Sequence, residues 1–396
     1  MIARLLGDRG LQAQVLAAAA VACSSLATLV ILARLLGPDA YGVFGLVTAS
    51  ASLALIIQDG GYRILLFRAH ASSNPLPGEL AAGMSAAMGW SLIATCVLLV
   101  AAAGLLIGDR LLAIAVAVTF IECLGKAWSG FAASAIRARG AFAREARIQA
   151  TRQAAIAVAA ISAAILSADV IVILCTMAIA RFLMLALPGE RYELTAPKPA
   201  LPAWWLMMVG VLTVAYVRID LLILGSILGP NAEVGIYSAI SRLIDLQVFA
   251  LSPLAAVFFR TVRLHPSTVP PRAITRLCLV LALPGLAILM MSLAAGQEIL
   301  SFVFGASFAS GAHYLWLVAG AMIVLPANFL IGQILLARDR ERSMVVMTLL
   351  ALVLKTAIVV TWAPVHGAMA CAAAVLATEV FMLAYGVLAL RQRDIS

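Results

Sequence analysis

LLGPDAYGVF (35–44) returns, with one residue inserted, as ILGPNAEVGIY (227–237). Each copy stops one helix and starts another within four residues. Glycine ends a helix, proline fixes φ, and Asp39 or Asn231 can cap the helix that follows. Any short helical hairpin can use that chemistry. The recurrence decides the fold: each copy closes the first apolar run of its half of the chain and opens the second, which marks a parallel repeat about a membrane normal.

Outward from these turns, apolar runs fill the sequence. They fall at 11–33, 41–65, 80–106, 111–136, 151–166 and 170–187, and again at 203–228, 235–259, 273–295, 314–337, 344–362 and 368–390. A bilayer core needs about 20 apolar residues per span. The pattern therefore predicts an all-α integral membrane protein of about twelve transmembrane helices. They form two six-helix bundles, 1–187 and 203–396, related by a pseudo-two-fold along the membrane normal and joined by a cytoplasmic linker, 188–202. Residues 1–27 mimic a signal peptide, but the apolar run continues to Ile31, beyond the about 7–15 residues of a signal core. It reads as a first transmembrane helix, uncleaved.

Composition agrees. The 396 residues are 64% hydrophobic and 11% charged, with a mean hydropathy of +1.09, against about 25% charged in soluble domains. The six cysteines all lie in apolar runs without a CxxC pair, and the four histidines are scattered, so neither a disulfide framework nor a metal centre is expected. No cofactor is expected. The net charge of +9 is distributed as membrane orientation, not as a nucleic-acid face. Of 27 Lys and Arg residues, twenty fall on the side of the N-terminus, counting Arg63, Arg152 and Arg276 at the cytoplasmic ends of their spans, two (Arg34 and Arg110) on the other, and five deep inside the spans. That bias puts both termini in the cytoplasm. The basic stretch Arg137 to Arg152 reads as a cytoplasmic connector, Pro253, Pro284 and Pro326 as sites for kinks, and 296–313 as an external loop.

Ten charges sit inside the spans: Asp59, Glu122, Lys126, Arg181, Arg218, Asp220, Arg242, Asp245, Lys355 and Glu379. Each costs roughly 2.5–3.5 kcal/mol on insertion scales, so they imply a polar interior and a transport function. Arginine is the best donor for a pyrophosphate, because its fork is planar and permanently charged. Arg218 and Arg242 of the second half, Lys126 and Arg181 of the first, and Lys355 are the candidate substrate-binding cations. Asp59, Glu122, Asp220, Asp245 and Glu379 are candidates for coupling to H⁺ or Na⁺ or for pairing with those cations. Glu122–Lys126 at i,i+4 and Arg242–Asp245 at i,i+3 can neutralise themselves on one helix face, and pairing is the stronger expectation for the former. Arg218 has Asp220 at i+2, on a different face. Ser52, Trp128, Thr213, Tyr216, Asn328 and Gln333 are available to sugars.

The same residues carry a resemblance. Ala33–Gly42 (ARLLGPDAYG) resembles the opening hairpin of the polysaccharide-biosynthesis, Wzx-type flippases, in the multidrug/oligosaccharidyl-lipid/polysaccharide superfamily. Asp59-Gly60-Gly61 is similar to that family's Asp-Leu-Gly. Residues 218–225 with Gly229-Pro230 and Gly235 to Ser238 are similar to its seventh and eighth helices, and 304–308 to its segment before the tenth. The resemblance implies alternating access by two six-helix bundles. The implied activity is translocation of an isoprenoid-pyrophosphate-linked oligosaccharide from the cytoplasmic to the periplasmic face of a bacterial inner membrane. The implied partners are the lipid-linked glycan, membrane lipids and other glycan-assembly proteins, with no nucleic acid. The competing readings are a cation/drug antiporter of the same fold and a membrane-bound polysaccharide polymerase or ligase. The connecting loops are too short to fold as an enzyme domain, and no DxD or HExxH motif appears.

Overall fold

The structure, a computed structural model, describes residues 9–71, 77–105, 109–138, 141–186, 196–264, 271–338 and 340–391. Arg4, Arg139, Arg191, His265 and Arg393 lie outside the described residues, as do 188–195 of the expected linker and the side chains of His70, Arg137 and Pro253. The described residues form α1 (Arg9–Asp59), α2 (Tyr62–Ala71), α3 (Pro77–Leu105), α4 (Arg110–Ala138), α5 (Phe142–Ser167) and α6 (Val170–Leu185), then α7 (Trp204–Leu228), α8 (Ala232–Leu264), α9 (Pro271–Phe304), a 3₁₀ turn (Ala306–Gly311), α10 (Ala312–Ala337), α11 (Glu341–His366) and α12 (Ala368–Arg391). Ten helices among them are long and apolar enough to cross a membrane, and Val170–Leu185 is a shorter apolar helix. One of the ten is bent at Gly37 into two arms, which accounts for the twelve runs of the sequence.

The repeated turn is tighter than a loop. In α1 only Gly37 leaves helical angles (φ 71°, ψ 171°) before Pro38 restarts the helix. Gly229 has the same left-handed φ of 72°, and a Cβ at either position would meet open space. Backbone conformation alone therefore demands these two glycines. Gly42 and Gly235 are needed for the opposite reason. A Cβ on Gly42 would come within 2.6 Å of the Asn231 carbonyl, and one on Gly235 would collide with the carbonyl of Pro38. The two copies of the motif cross reciprocally, each glycine lying on the other copy's turn.

By internal contacts the chain forms two compact units, Met1–Leu36 with Val47–Val214 and Gly37–Leu46 with Ala215–Ser396. In the first, α4 packs on α2, α3 and α6, around a core of Tyr62, Met84, Met88 and Phe131. In the second, α10 packs on α8, α9 and α12, and Phe258, Leu330 and Ile334 form one cluster with α9 residues against it.

Several spans differ from expectation. The second run was expected to reach residue 65 but stops at Asp59. Gly60 and Gly61 take positive φ (58° and 80°) and hand over to the separate α2. Trp90 packs against Gly60 and Leu206 against Gly61, and segment 196–203 runs beside both glycines. Ala203 N–H donates to Gly60 O (2.8 Å), Tyr62 Oη to Leu201 O (2.5 Å), and Lys198 N–H to Ser85 O (2.9 Å). The expected basic connector is in part helix, since α5 begins at Phe142 and includes Arg144, Arg147 and Arg152. The expected external loop 296–313 is mostly the end of α9 and the 3₁₀ turn. Neither Pro284 nor Pro326 takes its helix out of helical angles; the non-helical residue in α9 is Ala295 (φ −152°, ψ 43°). At Pro326 there is a compensation. Pro326 has no N–H for the Met322 carbonyl one turn back, and Gln247 Nε2 of α8 donates to that carbonyl at 2.9 Å.

Candidate functional site

All ten intramembrane charges lie among the described residues, and each acid has a close polar partner. In the first unit Glu122 and Lys126 stand one turn apart on α4, and α6 brings Arg181 across them. Arg181 donates from Nε and Nη2 to Glu122 Oε1 at 2.9 and 2.7 Å, while Lys126 Nζ lies 3.5 Å from Oε2. Gly125 makes this crossing possible, because a Cβ there would sit 2.7 Å from Arg181 Cγ. The Glu122 and Arg181 side chains are 5% and 4% exposed, that of Lys126 is 43%. A cavity of about 70 Å³ opens beside them, lined by Thr48, Ser52, Thr119, Glu122, Cys123 and Lys126 among others. That is room for a few waters or one small polar group.

The second unit holds two further networks. Arg218 of α7 and Arg242 of α8 both donate to one oxygen, Asp245 Oδ2, at 2.7 and 3.1 Å. The expected i,i+3 pair is present, and Arg218, which the sequence left without an acid on its own face, finds Asp245 on the next helix. These three side chains are 13%, 11% and 16% exposed, so they are reachable where Arg181 and Glu122 are not.

Deeper, Lys355 Nζ lies 3.3 Å from Asp220 Oδ2, donates to Tyr216 O at 2.8 Å, and sits 4.6 Å from the centre of the Tyr216 ring. Tyr237 Oη donates to the same Asp220 oxygen at 2.5 Å. Glu379 accepts from Tyr216 Oη (2.8 Å) and Asn328 Nδ2 (2.7 Å), both uncharged. Asp59 pairs with Arg63 at 2.5 Å, four residues on.

The two halves use matching positions with opposite charge. Arg181 and Glu379 are each the twelfth residue of the helix that closes its half. Each reaches the helix two before it, Arg181 to Glu122 on α4 and Glu379 to Asn328 on α10. In both units two basic side chains share one carboxylate. Of the residues set aside for sugars, Tyr216 and Asn328 are committed to Glu379, and Trp128 Nε1 donates to Ser91 Oγ at 2.8 Å. Ser52 lines the cavity of the first unit. Sequence reasoning missed Tyr237 and Gln247. The signal for Gln247 was a long polar side chain in an apolar run, in a chain with a proline inside a neighbouring run.

No family model matches the sequence, and no curated protein matches it. Solved structures do match. The lipid II flippase MurJ, in an inward closed conformation, aligns over 95% of this chain and 87% of its own with a TM-score of 0.76 at 12% identity. A multidrug resistance MATE family transporter of the MOP superfamily, facing inward, aligns over 94% and 95% with a TM-score of 0.70 at 11% identity. A MOP superfamily transporter from Pyrococcus furiosus, described as having a binding pocket of reverse polarity, aligns over 98% and 97% with a TM-score of 0.59 at 14% identity. These neighbours are transporters and flippases, not enzymes. The chain is therefore a multi-pass helical membrane protein with the fold of the MATE-like MOP superfamily.

Proposed function

We propose that this protein is a flippase that moves an isoprenoid-pyrophosphate-linked oligosaccharide, such as an O-antigen, capsule or exopolysaccharide unit, from the cytoplasmic to the periplasmic leaflet of a bacterial inner membrane. The observation that carries this reading is the pair of triads, Arg218–Asp245–Arg242 and Arg181–Glu122–Lys126. Guanidinium and ammonium groups are costly inside hydrocarbon and persist where an anion must be received. Guanidinium groups suit a pyrophosphate, and the isoprenoid tail can stay in lipid while the headgroup moves.

In this reading 1–187 and 203–396 act as the two bundles of an alternating-access carrier, 188–202 joins them, and both termini are cytoplasmic. Lys126, Arg218 and Arg242 serve the substrate directly, and Arg181, sealed against Glu122, supplies charge. Lys355, held by Asp220 and Tyr216, contributes charge rather than direct contact in this conformation. Membrane lipids and other glycan-assembly proteins are its partners. One observation favours a cation/drug antiporter instead: Glu379 is held by neutral donors, as a group that takes up H⁺ or Na⁺ would be. In the flippase reading the same residue supplies ion coupling.

The test is the sidedness of lipid-linked glycan in cells lacking the protein or carrying wild type, Arg218→Ala or Arg242→Ala. Cytoplasm-facing intermediate should accumulate in the deletion and in both stably inserted variants. Unchanged sidedness in the deletion would overturn the reading. Normal translocation in both variants would remove these arginines from the substrate site.

A further inference from the structure

The geometry of the second-unit triad goes further than a list of substrate ligands. Arg218 and Arg242 come from different helices, yet both end on a single oxygen of Asp245. One oxyanion receiving two guanidinium groups is the arrangement that a non-bridging phosphate oxygen would make with the same pair. The side chains of this triad are 11–16% exposed, against 4–5% for the Arg181–Glu122 contact of the first unit. Asp245 and Arg242 lie one turn apart on α8, so a change of the Asp245 rotamer withdraws its carboxylate from both arginines without moving a helix.

We infer that Asp245 is a placeholder anion that occupies the arginine pair in the empty carrier and is displaced by the pyrophosphate of the substrate. This rests on the reading of Arg218 and Arg242 as pyrophosphate ligands. The physical need is a charge balance in both directions of transport. An empty carrier must return with two guanidinium groups inside hydrocarbon, and leaving such charges without a counter-ion is strongly unfavourable. Asp245 supplies the counter-ion on that leg. On the loaded leg a doubly anionic pyrophosphate matches the two arginines by itself, and Asp245 becomes a surplus like charge that is pushed aside. Its carboxylate is thus a competitor for the ligand, and it makes binding weaker and return faster than the arginines alone would allow. A purely structural Asp245 has the opposite signature, because its loss would disorder the arginines and weaken binding.

The experiment uses the full chain in lipid nanodiscs, with farnesyl pyrophosphate as the probe and farnesol as the uncharged control. Asp245→Asn and Asp245→Ser should each tighten farnesyl pyrophosphate by about 10-fold, corresponding to about 1.4 kcal/mol of competition removed. Farnesol binding should not change. Asp245→Glu, which keeps the charge, should bind within about 2-fold of wild type, and Arg218→Ala should weaken the probe by at least about 10-fold. In a sidedness assay Asp245→Asn should lower KM and kcat together, as expected when the return of an unbalanced empty carrier becomes slow. If Arg218→Ala weakens binding while neither neutral variant tightens it, the placeholder role is wrong and the flippase reading stands. If Arg218→Ala and Arg242→Ala both bind farnesyl pyrophosphate as wild type does, the two fall together. Asp245→Ser and Asp245→Asn differ in packing but share the predicted sign, so poor insertion of one leaves the other to decide.

Discussion

At the scale of single residues, the charges inside this protein are held by other side chains. Arg181 and Glu122 are the clearest case, at 2.7 and 2.9 Å and nearly sealed. Removing one partner of a buried pair leaves an uncompensated charge, which costs about 3–5 kcal/mol, whereas replacing both by apolar groups is often close to neutral. Arg181→Met leaves Glu122 with Lys126 alone, longer and more exposed, so it should lower the melting temperature of the solubilised protein, and Glu122→Gln with Arg181→Met should recover most of the loss. A double variant as unstable as the single one would mean that the pair is not the stabilising unit. Pairing was legible where both partners share a helix, as with Glu122–Lys126 and Arg242–Asp245. It was illegible where the partner sits on another helix, as with Arg181–Glu122, Arg218–Asp245 and Lys355–Asp220. Sequence spacing encodes helix faces, and it does not encode which faces meet.

At the scale of elements, glycine and proline act through what surrounds them. Gly229 stands in open space with positive φ, so Gly229→Ala carries only the left-handed penalty, about 1–2 kcal/mol. Gly235→Ala drives a methyl into the Pro38 carbonyl and should cost clearly more, with a larger fall in melting temperature. Equal effects would contradict the reciprocal crossing of the two motifs. Pro326 is tolerated in α10 because Gln247 takes over the Met322 carbonyl. Gln247→Leu should orphan that group at about 1–3 kcal/mol. In a Pro326→Ala background, where the main-chain N–H returns, the same substitution should cost less. A double-variant cycle without that coupling would show that the contact is incidental. The sequence placed both prolines correctly inside spans; for Pro326 the donor that takes over the freed carbonyl lies on a different helix, which spacing along the chain does not show.

At the scale of the whole molecule, each half carries two basic groups around one acid, and the closing helices carry Arg181 and Glu379 at the same position with opposite charge. Arg181 joins α6 to α4 and Glu379 joins α12 to α10, whereas the triads use α4 and α6 in one half and α7 and α8 in the other. Orientation is the property to measure at this scale. Reporter fusions after Ser396 and within 265–270 should be active as cytoplasmic reporters, and fusions within 106–109 and at Asn231 as periplasmic ones. The opposite pattern would invert the direction of the proposed transport.

The sequence by itself determined the membrane class, the positions of the twelve apolar runs, the repeated turn and the set of buried charges. These follow from local chemistry: hydrophobic length, backbone preferences of glycine and proline, and the cost of charge in hydrocarbon. The tertiary structure alone decided that Arg218 and Arg242 share Asp245, that Arg181 seals Glu122, that Gln247 serves Pro326, and that Gly42 and Gly235 lie on each other's turns. Each of these is a contact between segments distant along the chain. Its partner is chosen by how helices pack, a choice that no residue's own preference contains.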